Sequence, residues 1–181
     1  FNSTTQNVIF NASQFGGAGI ATTLAVLGDG GTETVTINNA SNFSAAGFTF
    51  TSWSSSDRIL INGTGGGDFI AGSSQRDTIS GGLGADAIDG SAGADLHEGG
   101  GGNDVLRYAS QAQIDNDTID GGADVDQLRT SDGVASYDFT TATFAGSSGA
   151  AIEQLSIRNT TTQNVIFNAS QFGGAGIATT L

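Results

Sequence analysis

Apolar and polar residues alternate over short distances in both the first and the last third of the chain. The apolar runs are separated by clusters of Asn, Ser, Gly and Asp, and they are Val8–Phe10, Leu24–Leu27, Val35–Ile37, Phe48–Phe50, Tyr137–Phe144 and Ile152–Ile157. Short alternating runs between such clusters predict β-strands joined by turns. Since no stretch keeps a 3.6-residue period, we expect almost no helix.

The middle of the chain follows a stricter rhythm of nine residues. Five consecutive nonapeptides read GTGGGDFIA, GSSQRDTIS, GGLGADAID, GSAGADLHE and GGGGNDVLR. Their sixth position is always aspartate: Asp68, Asp77, Asp86, Asp95 and Asp104. The eighth position is apolar in four of them (Ile70, Ile79, Ile88 and Leu106), which predicts a side chain pointing inward from a short strand. Glycine allows a positive φ and a close approach of neighbouring backbones.

This spacing also predicts how the aspartates meet in space. If each nonapeptide supplies one bend and one strand, two of them complete a turn of a coil. Asp68, Asp86 and Asp104 then stack along one edge, and Asp77 and Asp95 along the other. Stacked carboxylates repel each other unless a cation lies between them. Calcium, which takes about six to eight oxygen ligands, is the ion that this arrangement favours.

The nonapeptides resemble the GGxGxDxUx repeat of the RTX family. The resemblance implies an all-β fold, a right-handed parallel β-roll or β-solenoid with several calcium ions between its turns. It also implies that the position-six carboxylates bind with the backbone carbonyls of positions two and four. Those carbonyls belong to Thr64, Gly66, Gly82, Gly84, Ser91, Gly93, Gly100 and Gly102. Finally, it implies a bacterial chain that is exported unfolded by a type I secretion system and folds in external calcium.

The repeat departs from this pattern at three places. Gln75 replaces the position-four glycine of the second unit, which predicts a weak or distorted loop. His97 takes the inward position of the fourth unit, where we expect a tolerated or hydrogen-bonded residue and not a metal ligand. After Arg107 the rhythm breaks, so a loop around Tyr108–Ile114 must absorb four residues.

The rhythm resumes with Asp117 and with GGADVDQLR, which extend the list of candidate metal ligands. Asp117 and Asp126 take the position-six role, Asp124 adds a carboxylate at position four, and Gly122 offers a position-two carbonyl. Upstream, Asp57 opens a degenerate unit and is a further candidate ligand.

A second repeat has a much longer period. Residues 4–24 recur without change as residues 161–181, an offset of 157 residues. We therefore divide the chain into a β-rich solenoid flank (1–56), the calcium-binding roll (57–129), a second β-rich flank (130–160) and the start of the next tandem copy (161–181). The absence of methionine also suggests a fragment of a longer array.

Charge and composition exclude several classes of function. The 18 acidic residues outnumber five arginines, and the net charge of −13 argues against nucleic acid as a partner. No apolar run approaches the roughly 20 residues of a membrane helix, so we predict no membrane span. One histidine, no lysine and no cysteine leave few nucleophile–base systems, so we expect no enzyme activity in this chain. Paired carboxylates could serve a glycosidase, but calcium accounts for all of them.

These observations favour a structural role outside the cell. We predict the calcium-stabilised repeat of an extracellular bacterial fibre, adhesin or matrix filament, with copies joined end to end. One alternative is a surface-layer lattice protein. Another is the RTX module of a type I-secreted enzyme whose catalytic domain lies outside this chain. Rows of Thr-x-Thr suggest an ice-binding face, but they do not recur at a constant period.

Overall fold

The computed structural model describes residues 5–131, 134–147, 149–158 and 162–179. The described chain is built of short strands, which are β1 (Thr5–Asn11), β2 (Ala25–Leu27), β3 (Thr32–Asn38), β4 (Asn42–Ser44), β5 (Thr49–Thr51), β6 (Arg58–Thr64), β7 (Phe69–Ala71), β8 (Asp77–Leu83), β9 (Ala87–Asp89), β10 (Leu96–Gly101), β11 (Val105–Tyr108), β12 (Thr118–Ala123), β13 (Gln127–Thr130), β14 (Ser136–Asp138), β15 (Thr143–Phe144), β16 (Gln154–Ile157) and β17 (Asn164–Ile166). Three 3₁₀ turns, Ala12–Gln14, Gln111–Gln113 and Ala169–Gln171, are the helical segments of this part of the chain.

The strands pair in parallel and stack the turns of a coil. The long sheet has the order β1-β3-β6-β8-β10-β12-β15, and the opposite sheet has the order β4-β7-β9-β11-β13-β16. A third face is formed at the two ends of the coil by the pairs β2–β5 and β14–β17. The predicted all-β solenoid is confirmed. No helix among the described residues is long and apolar enough to cross a membrane.

Alternate side chains of both sheets fill the interior. The residues at the eighth position of the nonapeptides, Ile70, Ile79, Ile88 and Leu106, are fully buried, as the alternation predicts. Fully burying a side chain of this size contributes roughly 1.5–3 kcal/mol. His97 lies in the same inward ladder, paired with Ile79 on one side and Ile119 on the other.

The register shows two nonapeptides per turn through the repeats. Ile61 pairs with Ile79, and Phe69 pairs with Ala87, each eighteen residues further on. The offset grows to twenty-two where Leu96 pairs with Thr118. A 3₁₀ turn over Gln111–Gln113 takes up the extra residues on the outside of the coil. The insertion thus falls inside the predicted segment Tyr108–Ile114, whose end residues are both fully buried.

The flanks belong to the same coil but have wider turns. Strands β1, β3 and β6 continue the long sheet, with offsets of twenty-seven and twenty-four residues. The segment predicted as one strand over Tyr137–Phe144 contains two strands, β14 and β15, because the chain turns a corner between them. Strand β4 was not predicted. The predicted joint to the next copy includes residues 159–161, which lie outside the described residues.

Candidate metal centre

Seven buried aspartates line the two edges where the chain passes between the sheets. The first edge, at the turns from the long sheet to the opposite sheet, holds Asp68, Asp86, Asp104 and Asp126. The second edge, at the turns leading back, holds Asp77, Asp95 and Asp117. The structure therefore places the five aspartates of the nonapeptides in the two rows that the stacking predicts, and it adds Asp126 to the first row and Asp117 to the second.

A ladder of hydrogen bonds connects each aspartate to the next turn. On the first edge, the N–H groups of Asp68, Asp86 and Asp104 donate to the Oδ1 atoms of Asp86, Asp104 and Asp126 at 2.8, 2.8 and 2.9 Å. On the second edge, Asp77 and Asp95 donate in the same way to Asp95 and Asp117, at 2.8 and 2.9 Å. The stacked carboxylates are thereby held in a fixed orientation, one per turn.

The second carboxylate oxygen is free in five of the seven residues. Buried Oδ2 atoms without a hydrogen-bond partner belong to Asp86, Asp95, Asp104, Asp117 and Asp126. Burying a charged oxygen without a partner is costly, so such atoms are suited to binding a cation. These five atoms can supply the hard oxygen ligands that a divalent cation such as calcium requires.

The first aspartate of each edge differs from the rest. Asp68 accepts hydrogen bonds from the N–H and hydroxyl of Thr64 at 2.5 and 2.9 Å. Asp77 accepts the N–H of Ser73 at 2.7 Å and also contacts its hydroxyl. Their carboxylates are therefore satisfied by their own loops, and Thr64 acts through its donors as well as offering the predicted carbonyl.

Burial makes the stacked carboxyls difficult to ionise. It raises the pKa of Asp95 and of Asp104 to about 7 and that of Asp117 to about 8. The pKa of Asp126 rises to about 6, again mainly through burial, and that of Asp86 also rises. Repulsion from neighbouring carboxylates adds to the effect in Asp104 and Asp117. A bound cation would supply the positive charge that these rows lack.

The loops of the first edge stack glycine on glycine. Their position-two residues are in register, with Thr64 beside Gly82, Gly82 beside Gly100 and Gly100 beside Gly122. At position four, a Cβ on Gly84 would collide with the backbone of Gly66, and one on Gly102 would collide with Gly84 O. The φ angles of Gly82, Gly84, Gly100, Gly102 and Gly122 lie between 102° and 115°, a region that only glycine enters readily. The residues whose carbonyls are the predicted ligands of this edge thus stack in two columns, one at position two and one at position four.

The second edge has less regular loops. Ser91 has a φ of 69°, and its hydroxyl donates to Gly72 O at 3.1 Å. A Cβ on Gly93 would collide with the carbonyl oxygen of Gln75 and with Asp95 Oδ1. Gln75 therefore stacks its backbone against Gly93 in the position-four column, although its side chain breaks the glycine pattern.

Two predicted ligands lie apart from the aspartate rows. Asp57 accepts the N–H groups of Glu33 and Ser54 at 2.9 and 2.5 Å. Ile59 pairs with Asp77, so Asp57 is two residues out of register with the second edge. Asp124 is exposed with a φ of 81°, and its charge helps to raise the pKa of Asp104 and Asp126 from outside the row.

Sequence reasoning missed two components of these edges. One is Glu153, whose Oε2 accepts the N–H of Asp126 at 2.8 Å and ends the first row. The other is the glycine at position one of every unit. A Cβ on Gly81 would collide with Asp86 Oδ2 and would lie 2.5 Å from Gly99 O. The invariance of glycine at position one in the five nonapeptides was a signal for this crowding.

Comparison with known families supports the interpretation of these rows. The family model for the RTX calcium-binding nonapeptide repeat matches residues 62–96 and 111–134, in four copies. The matched segments contain six of the seven stacked aspartates. Asp104 lies between them, and the structure places it in the same row. Neither a curated protein nor a solved structure matches the chain.

Proposed function

Since the chain carries RTX calcium-binding repeats within a β-solenoid, we propose that it is the calcium-stabilised structural repeat of an extracellular bacterial fibre, adhesin or matrix filament. Copies of the 157-residue unit join end to end in this proposal. The protein acts outside the cell and performs no catalysis. Its partner is the next copy of itself and not a nucleic acid.

Calcium binding by the aspartate rows would make folding depend on the calcium concentration outside the cell. Without a cation, the five free Oδ2 atoms leave buried, mutually repelling carboxylates in the interior. The binding free energy of the ion then becomes folding free energy. Extracellular calcium modules bind at about 10⁻⁴–10⁻³ M, well above the calcium level inside a cell. The chain would remain unfolded during export and fold outside.

The observation that carries the fibre is that the two copies of the duplicated segment make complementary contacts. In the first copy, β1 pairs with β3, which follows it in the chain. In the second copy, the same sequence forms β17 and pairs with β14, which precedes it. One segment thus carries a surface for the unit before it and a surface for the unit after it.

Aromatic packing shows the same division. Phe15 packs on Phe43 and Phe48 downstream, with ring centroids 5.2 and 5.6 Å apart. Its copy, Phe172, is 40% exposed at the far end of the coil. There it lines an apolar groove with Ile152, Ile177 and other residues. In a tandem array, the next unit's copies of Phe43 and Phe48 would cover this groove.

Polar contacts complete the upstream surface. The Gln171 side chain donates to Phe139 O at 2.7 Å and to Ala142 O at 2.8 Å. The identical Gln14 makes no such bonds within the described part of the chain, because no described turn precedes the first copy of the segment. The duplicated segment thus has contacts for the turns before it and for the turns after it. Such a segment favours a continuous rod over a surface-layer lattice or the RTX module of a secreted enzyme.

Electron microscopy of chains with two and four complete units tests the proposal. In millimolar calcium we expect straight rods that lengthen by about 30–35 Å per unit. The seven strands of the long sheet indicate that one unit spans between six and seven turns, and each parallel turn rises about 4.7–4.9 Å. In calcium-free buffer at pH 8, where the stacked carboxyls are ionised, the same chains should lose the rod, and circular dichroism should lose the β signal. Flexible beads in calcium would contradict the fibre, two-dimensional sheets would favour the lattice, and full β structure at pH 8 without calcium would contradict the role of the ion.

A further inference from the structure

One step of the second edge differs from all the others because a histidine faces it from inside. Asp95, His97 and Asp117 are buried, and each offers a ligand atom that lies within 4.8 Å of the other two. Both aspartates have a free Oδ2, since their Oδ1 atoms accept the N–H groups of Asp77 and Asp95. Three ligand atoms of two chemical types therefore converge at this step.

The imidazole is oriented by one neighbour and unsatisfied on its other side. His97 Nδ1 lies 2.9 Å from the hydroxyl of Tyr108. His97 Nε2 is buried without a hydrogen-bond partner. A Cβ on Gly90 would collide with Nε2 and would lie 2.8 Å from Asp95 Oδ2. The free nitrogen and the free carboxylate oxygen thus lie together against the same glycine.

Packing alone does not explain a histidine at this position. The equivalent residues of the preceding and following turns, Ile79 and Ile119, are fully buried and apolar. A buried ring nitrogen without a partner costs free energy that isoleucine would avoid. The position is therefore better explained by a ligand for the nitrogen than by the interior of the coil.

We propose that Asp95, His97 and Asp117 form a binding site for one divalent transition-metal ion, with zinc as the best-fitting ion. Calcium is bound by oxygen ligands, whereas zinc readily combines imidazole nitrogen with carboxylate oxygen. At zinc–ligand distances of about 2.0–2.2 Å, tetrahedral ligands lie roughly 3.3–3.6 Å apart. The three protein ligands leave a fourth position for water.

Tyr108 supports this role as a positioning residue. A histidine that binds metal through Nε2 carries its proton on Nδ1 and donates it to a neighbouring acceptor. With a metal on Nε2, the hydroxyl oxygen of the fully buried Tyr108, 2.9 Å from Nδ1, would be that acceptor. The site goes beyond the proposed function, because the coil would then hold two kinds of ion, calcium along most of both edges and a softer ion at one step.

Cobalt(II) titration of the metal-stripped full chain in millimolar calcium tests the site. We expect one equivalent of Co²⁺ with visible d–d absorption, displaced by Zn²⁺. His97→Ile restores the residue type of the neighbouring turns, so it should abolish this equivalent while calcium-induced β structure persists. Tyr108→Phe should weaken Co²⁺ binding by about 10–100-fold, the usual effect of removing such a support.

Two results would overturn the inference. One is a wild-type chain that folds in calcium and takes up no Co²⁺ or Zn²⁺. The other is an equal equivalent of Co²⁺ in His97→Ile. X-ray absorption of the zinc-loaded wild type needs no variant: one imidazole with carboxylate ligands supports the site, and an all-oxygen shell contradicts it. A failure of calcium to induce folding would count separately, against the proposed function.

Discussion

At the scale of single residues, the backbone at position two of the nonapeptides separates aspartates that bond to their own loop from aspartates that keep Oδ2 free. Thr64 and Ser73 have ordinary negative φ angles and donate their N–H groups to Asp68 and Asp77. Gly82, Gly100 and Gly122 have positive φ angles, and the aspartates that follow them keep Oδ2 free. In the nonapeptides, a positive φ at position two thus accompanies an aspartate whose Oδ2 is free to bind an ion.

This difference predicts unequal effects of two identical substitutions. Asp86→Asn removes a charge whose Oδ2 has no partner, between the stacked Asp68 and Asp104. It should raise the calcium concentration at the folding midpoint by about tenfold, since ligand charge sets calcium affinity. Asp77→Asn, whose carboxylate is bonded to Ser73, should shift the midpoint less. Calcium titrations followed by circular dichroism would compare the two, and equal shifts or the reverse order would contradict the assignment.

Much of this edge was predictable from the sequence, and the exceptions have physical reasons. A period of nine residues with glycine and aspartate at fixed places determines which carboxylates stack. It does not reveal the φ angle at position two, which is positive at Ser91 but not at Ser73. Because of this difference, Asp77 bonds to its own loop, whereas Asp95 keeps Oδ2 free. Glu153 was missed because it lies in the wider turns of the flank, where no spacing connects it to Asp126.

At the scale of the turns, close stacking leaves no room for a side chain at position one. A Cβ on Gly81 would collide with Asp86 Oδ2 and Gly99 O, although its φ is not in the left-handed region. Gly81→Ala should therefore cost about 1–3 kcal/mol of unfolding free energy, as overpacking does. Gly65→Ala is the matched control, because nothing lies within 4 Å of its Cβ. Thermal unfolding in calcium would measure both, and similar losses would show that crowding is not the cause.

The stacked edges also predict how the calcium-free coil depends on pH. Burial raises the pKa of Asp95 and Asp104 to about 7 and of Asp117 to about 8, so the folded state holds protons that the unfolded chain releases near its ordinary pKa of about 3.9. Their stabilising protonation is complete below that value and is lost as the pH rises towards 8. His97, with its pKa lowered to about 4, opposes this trend as a single group up to about pH 6.5.

The free energy of unfolding without calcium should therefore fall from about pH 5 to pH 8, and added calcium should stabilise most at pH 8. The β signal in circular dichroism, followed in metal-free buffers from pH 5 to pH 8, would measure this dependence. Asp117→Asn should flatten the curve, since it removes one of the titrating groups. A stability that rises with pH over this range would contradict the assigned shifts.

At the scale of the whole molecule, the duplicated segment provides its own control. Gln171 and Gln14 each accept the N–H of the asparagine three residues earlier through Oε1, at 2.7 Å in both copies. Only Gln171 also donates through Nε2 to Phe139 O and Ala142 O in the described structure. Substitution by glutamate keeps the acceptor and removes the donor.

Gln171→Glu should destabilise the chain by about 1–3 kcal/mol, because two backbone carbonyls lose a donor. Gln14→Glu should be close to neutral in the same chain. Thermal unfolding in saturating calcium would compare them. Equal effects would show that the second copy does not dock on the preceding turns. In a chain of two complete units, glutamate in place of this glutamine at the internal joint should cause the same loss of stability as Gln171→Glu does here.

The path of the chain at this scale was only partly predictable. Alternation located most strands, whereas the joining of units, which the exact duplication suggests, stays a prediction. The corner between β14 and β15 and the third face were not predicted, because short alternating runs do not indicate which sheet a strand enters. That choice depends on the residue count of each turn, which varies outside the nonapeptides.

The third face has a consequence for the symmetry of a polymer. Strand β17 lies on the third face, whereas the identical β1 lies in the long sheet. When units are joined through this segment, the third face of one unit runs into the long sheet of the next. Each unit is then rotated by one face about the fibre axis, and three units complete the circuit. In the proposed fibre, the aspartate edges would then wind around the axis as a screw, and the fibre would resist bending alike in every direction.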